Sequence, residues 1–92
     1  MLFILSIMEK EKIISTVETV NKYFAENGQK HNASDSLITT DKSFLDEVTE
    51  KVISLICAIG IDENFAPNIH GVILDGCLEV LNQIREEYFN HE

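Results

Sequence analysis

Three acidic side chains, Asp75, Glu79 and Glu86, recur at intervals of four and seven residues in a stretch of helical apolar periodicity. Such intervals return to one face of an α-helix, so the three carboxylates are predicted to form a row along its outer side. Four helical residues advance about 6 Å, the same order as the spacing of successive phosphates along a nucleic-acid strand. A row of this kind attracts cationic surfaces and repels nucleic acid and anionic membranes.

A second acidic cluster, Asp46, Glu47 and Glu50, is predicted on the outer side of the preceding helix. Two such helices side by side would present two rows of carboxylates, comparable to the charge rows that flank a groove. The alternative is an ordinary solvated helix face, since acids near a helix start also favour the helix dipole. The scarcity of interleaved lysine favours binding, because helix surfaces usually mix charges of both signs.

The negative charge of the chain is concentrated in its second half. The formal net charge is −9, and residues 43–92 carry ten carboxylates against only Lys51 and Arg85. Residues 1–42 carry six acids and five bases. We therefore expect a basic protein as partner, and no direct binding of nucleic acid, which requires clustered Lys and Arg.

No catalytic, metal or cofactor motif is found. His31, His70 and His91 form no metal-ligand pair, and Cys57 and Cys77 are twenty residues apart, unlike the close pairs of zinc sites. Buried, reduced thiols are the simpler interpretation of the cysteines. We expect a non-enzymatic protein without a cofactor or metal.

The chain shows no sign of membrane insertion or export. The apolar run Met1–Ile7 lacks a basic flank and is too short for a span or a signal sequence. A cytoplasmic location is expected, in the host cytoplasm if a phage encodes the protein.

The first helix is predicted from about Ile7, where Ser6 and Glu9 have capping-box spacing, to the stop at Asn27-Gly28. Met1–Leu5 lies outside this pattern and is predicted as a short strand or as one more helical turn. The buried face is predicted to be Ile13, Val17, Val20 and Phe24, with Ile14 beside them.

The residues from Gly28 to Asp41 are predicted as a polar connection. A second helix follows from about Asp41 or Ser43 to Ile59, capped by Ser43 and ended by Gly60. Its predicted buried side chains are Phe44, Leu45, Val48, Val52, Leu55, Ile56 and Ile59.

The third helix, with Pro67 in its first turn, carries two apolar stripes. The stripe assigned to the core is Ile69, Ile73, Cys77, Val80, Ile84 and Tyr88. The second stripe, Leu74, Leu78 and Phe89, is assigned to a homodimer interface. The predicted fold is thus a mainly α-helical, three-helix single domain over residues 1–92, with an α+β variant if Met1–Leu5 forms a strand.

In length, acidity and lack of catalytic motifs the chain resembles small acidic phage DNA-mimic proteins, the Arn-like anti-restriction proteins. The resemblance implies an inhibitor that occupies the DNA-binding surface of a host restriction enzyme or nucleoid protein. The alternative is a helical protein–protein interaction module, such as an immunity protein, antitoxin or small regulator, that binds through apolar contacts.

Overall fold

The computed structural model describes the backbone of residues 2–28 and 32–89, and side chains from residue 10 onward within these ranges. The described residues form four helices: α1 (Leu2–Glu26), α2 (Asp35–Ile38), α3 (Lys42–Ile59) and α4 (Ile69–Phe89). They contain no strand beyond an isolated antiparallel bridge between Ile61 and Pro67. The mainly α-helical prediction is confirmed.

The first helix is longer than predicted. It begins at Leu2 instead of Ile7, so the strand alternative for the N-terminal residues is wrong and the additional helical turn is confirmed. The stop at Gly28 is confirmed, since this residue has a φ of 73° that glycine adopts without strain. The side chain of Asn27 donates to the carbonyl of Tyr23 in the last turn.

The connection between the first two long helices contains a short helix that the sequence analysis missed. α2 places Ile38 in the core, and Ala33 just before it is also buried. Asn21 on α1 fixes this segment, because its side chain accepts from the Ala33 N–H (2.6 Å) and donates to the Ala33 carbonyl (3.0 Å).

The second long helix agrees closely with its prediction, apart from its cap. Asp41, and not Ser43, caps α3: its carboxylate accepts from the backbone N–H of Phe44 at 3.3 Å. Leu45, Val48, Val52 and Leu55 are buried as expected.

The buried face of α4 is rotated from the predicted one. Leu74, Cys77, Leu81 and Ile84 are buried, with Leu78, Val80 and Phe89 packed against them. Ile69, Ile73 and Tyr88, which the prediction placed in the core, are exposed, as is Ile14 on α1.

The rotation of α4 has its cause in the contact with α3, which is the most extensive helix pairing in the described structure. Gly71 of α4 packs directly on Gly60, and a Cβ at either position would overlap backbone atoms of the other helix or of α3 itself. This close approach turns the side of α4 that carries Gly71 and Leu74 towards α3. The start of α4 is fixed by Asn68 and not by Pro67, which precedes the helix.

Candidate partner-binding surface

The acidic ridge, defined as Asp75, Glu79 and Glu86, lies on the exposed side of α4. All three side chains are exposed, and Leu74, Cys77 and Ile84 mark the opposite, buried side of the same helix. From Asp75 to Glu86 the helix advances about 16 Å. The three carboxylates thus lie in one row because a single continuous helix carries them.

The acidic cluster of α3 divides into two kinds of residue. Glu47 and Glu50 are exposed, whereas Asp46 is only half-exposed and forms an ion pair with Arg85 of α4. Arg85 donates to one Asp46 oxygen from Nε (3.2 Å) and Nη2 (2.6 Å). Asp46, predicted to be part of a partner-binding surface, is therefore committed to the contact between two helices.

Arg85 has further contacts that fix its position. Its Nη1 donates to the side-chain oxygen of Asn82 at 3.0 Å, and its Nη2 lies 3.4 Å from the hydroxyl of the buried Thr49. Arg85 is therefore engaged with Asp46, and among the described residues no ion pair joins Asp75, Glu79 or Glu86 to a base. A base from another helix, Lys12 of α1, lies beside Val80, Gln83 and Ile84 of α4 without forming an ion pair with the ridge.

The three residues assigned to a dimer interface belong to the core of the single chain. Leu74 is 0% exposed, so it has no surface to offer a second subunit. Leu78 and Phe89 are half-buried and pack against the same core. The correction follows from the rotation of α4, which brings this second stripe into the core beside Cys77, Val80 and Ile84. The homodimer itself stays a prediction.

Tyr23 and His70 join α1 to the start of α4. The Tyr23 hydroxyl lies 2.9 Å from Nδ1 of His70, and the two rings meet edge-on. Burial, and to a smaller extent the charges of Glu26 and Cys77, raises the pKa of the Tyr23 hydroxyl above its ordinary 10.0. The neutral hydroxyl is therefore the stable form, and the pair acts as a structural contact between helices.

The cysteines differ in environment. Cys57 is exposed on α3, which contradicts the expectation that both thiols are buried, while Cys77 is buried in α4. Burial raises the pKa of the Cys77 thiol above its ordinary 9.0. Both are free thiols, as the sequence analysis expected.

The described part of the chain contains no group of three or more His, Cys, Asp or Glu side chains that could hold a metal ion. His31 and His91 lie outside it. Among the helices of the described ranges, none combines the length and hydropathy that a membrane span needs.

A second surface feature was not found from the sequence. Between α3 and α4, the side chains of Ile61, Phe65, Pro67 and Val72 are exposed around one groove of about 400 Å³. We call these four residues the apolar end. The sequence signal that could have found it is a phenylalanine inside a turn (Asp62 to Ala66), because turn residues are usually polar.

Comparison with known proteins finds no matching family model, no matching curated protein and no matching solved structure. The similarity to DNA-mimic proteins therefore remains one of size, charge and composition.

Proposed function

We propose that the protein is a non-enzymatic inhibitor that occupies the DNA-binding surface of a basic protein, such as a restriction enzyme or nucleoid protein. The observation that carries this proposal is the exposed acidic ridge on α4. Residues 52–84 contain no Lys or Arg at all, and Arg85 is held by Asp46. A basic groove that binds phosphates could bind these carboxylates by the same long-range attraction.

Competition with DNA tests the proposal directly. A labelled duplex is bound to a purified histone-like protein, and release of the duplex is followed as the acidic protein is added. We expect release at about 50 mM salt. The binding of the acidic protein to the basic protein, measured directly without DNA, should weaken about tenfold or more by about 200 mM, because screening shortens the range of exposed charges. Direct binding that does not change with salt would contradict a charge-driven mechanism.

The contribution of the acidic ridge itself is tested with isosteric substitutions. The triple variant Asp75→Asn, Glu79→Gln, Glu86→Gln removes three charges from α4 without changing side-chain volume. We expect it to release DNA about tenfold less effectively, since each lost contact between close charges weakens binding.

The matched control removes three exposed carboxylates from α1, with Glu11→Gln, Glu18→Gln and Glu26→Gln. The net charge of the two triple variants is the same. If both variants lose the same activity, net charge and not the ridge is responsible, and the proposal for the ridge fails.

A second candidate function is an interaction module that binds through apolar contacts. The apolar end favours it, because a large exposed aromatic side chain beside a groove is typical of protein–protein binding sites.

A further inference from the structure

Phe65 is the most exposed large apolar side chain among the described residues. Its exposed fraction is 89%, and that of the neighbouring Val72 is 59%. Single exposed apolar residues are common on protein surfaces, but a cluster around one groove marks an interaction site. Aromatic side chains in such clusters supply a large share of the binding energy in protein interfaces.

The groove beside Phe65 has apolar walls and a backbone floor. Ile56, Ile61, Pro67 and Val72 line it together with Phe65, and one charged side chain, Asp75, lies at its edge. Gly60 and Gly71 also line it, at the point where α3 and α4 approach too closely for a side chain. The space is suited to one or two apolar side chains of another molecule.

The loop presents Phe65 in a fixed conformation. Its φ of 61° is in the left-handed region, which costs about 1 kcal/mol or more for a residue with a side chain. The Asp62 carboxylate accepts from the backbone N–H groups of Asn64 (2.8 Å) and Ala66 (3.0 Å). Because these two hydrogen bonds hold the backbone on both sides of Phe65, binding would cost this loop little backbone entropy.

The charges around the groove select the class of partner. Asp62 and Glu63 are exposed on the loop, Asp75 lies at the groove, and residues 52–84 carry no compensating base. A second copy of the chain would bring acid against acid, which is unfavourable. A cationic partner would find complementary charge on the loop and at the α4 edge of the apolar contact.

We propose that the apolar end binds a basic amphipathic helix of a partner protein. Phe65 and the groove receive its apolar side chains, and Asp62, Glu63 and Asp75 attract its Lys or Arg residues. Helices bind such grooves through apolar residues spaced three or four positions apart. This site goes beyond competition with DNA and rests on the second candidate function, the interaction module, although it shares Asp75 with the acidic ridge.

The probe is a synthetic helical peptide of about 18 residues, with Leu on one face and Lys on the other, carrying a fluorescent label. Binding to the full-length protein is measured by fluorescence anisotropy. We expect a micromolar Kd that Phe65→Ser weakens about tenfold, as for loss of an aromatic anchor. The exposed position means that this variant keeps the core, which far-UV circular dichroism verifies.

Three controls separate the apolar contact from charge. A peptide of the same composition with scrambled order should bind about tenfold more weakly, and a peptide with Glu in place of Lys should not bind. Leu37→Ser, which removes an exposed apolar side chain from α2, should leave the Kd unchanged.

Several results would overturn the proposal. These are no binding of the amphipathic peptide, equal binding of the scrambled peptide, or an unchanged Kd with Phe65→Ser. A protein that sediments as a dimer, and as a monomer after Phe65→Ser, would show that a second copy occupies the site instead. If Phe65→Ser loses peptide binding but still releases DNA, this site is separate from the acidic ridge. If Phe65→Ser loses DNA release but still binds the peptide, the proposal for the apolar end fails.

Discussion

Arg85 donates to Asp46 from two nitrogens and to Asn82 from a third, and these contacts join the start of α3 to the end of α4. Its side chain is about one-quarter exposed and that of Asp46 about one-half. Ion pairs so close to solvent contribute little to stability, typically below 1 kcal/mol. The additional contact with the buried Thr49 gives this pair more weight than an isolated surface pair.

Arg85→Gln is expected to lower the free energy of unfolding by about 1 kcal/mol, as measured by urea denaturation. The same variant should release DNA from a basic protein at least as well as the native chain, because it removes a positive charge and frees Asp46. Lower stability together with unchanged or better DNA release would show that Arg85 has a structural role and does not take part in binding.

The control for the ion pair is a double-variant cycle with Asp46→Asn. Because both single substitutions break the same contact, the double variant should be less destabilised than the sum of the two. Additive effects would show that Arg85 stabilises the protein through Thr49 and Asn82 rather than through Asp46.

At the scale of single residues, exposure that follows from position on a helix was predictable, whereas contacts between helices were not. The exposure of Asp75, Glu79 and Glu86 follows from the helical period alone and agrees with the structure. The ion pair of Asp46 could not be predicted, because it depends on the register of α3 against α4. The exposure of Phe65 depends in the same way on how the two helices are joined.

The contact between α3 and α4 depends on a pair of glycines. A Cβ on Gly71 would overlap the carbonyl oxygen of Gly60, which is held in place because it accepts from the Asn68 N–H at 2.9 Å. Asn68 adds to this contact, since its side chain donates to the Ile59 carbonyl and accepts from the Gly71 N–H. The separation of the two helices is therefore set by backbone contact.

Gly71→Ala is expected to lower the free energy of unfolding by about 2 kcal/mol or more, because the overlap forces the helices apart and loosens the core around Leu74. Thermal and urea unfolding measure the change. The apolar groove should change with it, so peptide binding should weaken as well.

Gly76→Ala is the matched control in the same helix. A Cβ at Gly76 meets nothing within 4 Å, and the position is exposed. Alanine should therefore stabilise the helix by about 0.5 to 1 kcal/mol through its higher helix propensity. Equal destabilisation by both variants would show that helix packing at Gly71 is not the cause.

At the scale of elements, the bounds of α3 were predictable from apolar periodicity and from Gly60, whereas α4 begins at Ile69 and does not include Pro67. The rotation of α4 was not predictable, because both of its apolar stripes have helical spacing and the glycine contact fixes which side meets α3. α2 was missed because four residues carry no periodic signal, although Leu37-Ile38 within a polar stretch is an indication. The start of α1 was placed too late because Ser6, which has capping-box spacing to Glu9, lies inside the helix and not at its start.

At the scale of the whole molecule, the net charge of −9 acts against compactness. Folding brings the carboxylates of α3 and α4 closer together than in the extended chain, and the ion pair between Arg85 and Asp46 offsets part of their repulsion. The core formed by α1, α3 and α4 must outweigh this repulsion.

Potassium chloride is expected to stabilise the protein by screening this repulsion. We expect the free energy of unfolding to rise by about 1 kcal/mol between about 10 mM and about 300 mM salt, measured by thermal unfolding at neutral pH. The triple variant of the acidic ridge should show a smaller rise. A fall in stability with salt would mean that favourable ion pairs outweigh repulsion in the native state.

The absence of basic residues from 52 to 84 also determines how the loop around Phe65 responds to proteases. Trypsin cuts after Lys and Arg, so it finds no bond there, and a digest leaves the loop and both cysteines on one fragment, 52–85. Chymotrypsin cuts after aromatic residues and meets Phe65 at the surface. Protection from chymotrypsin, and not from trypsin, is therefore the signature of a molecule that covers this loop.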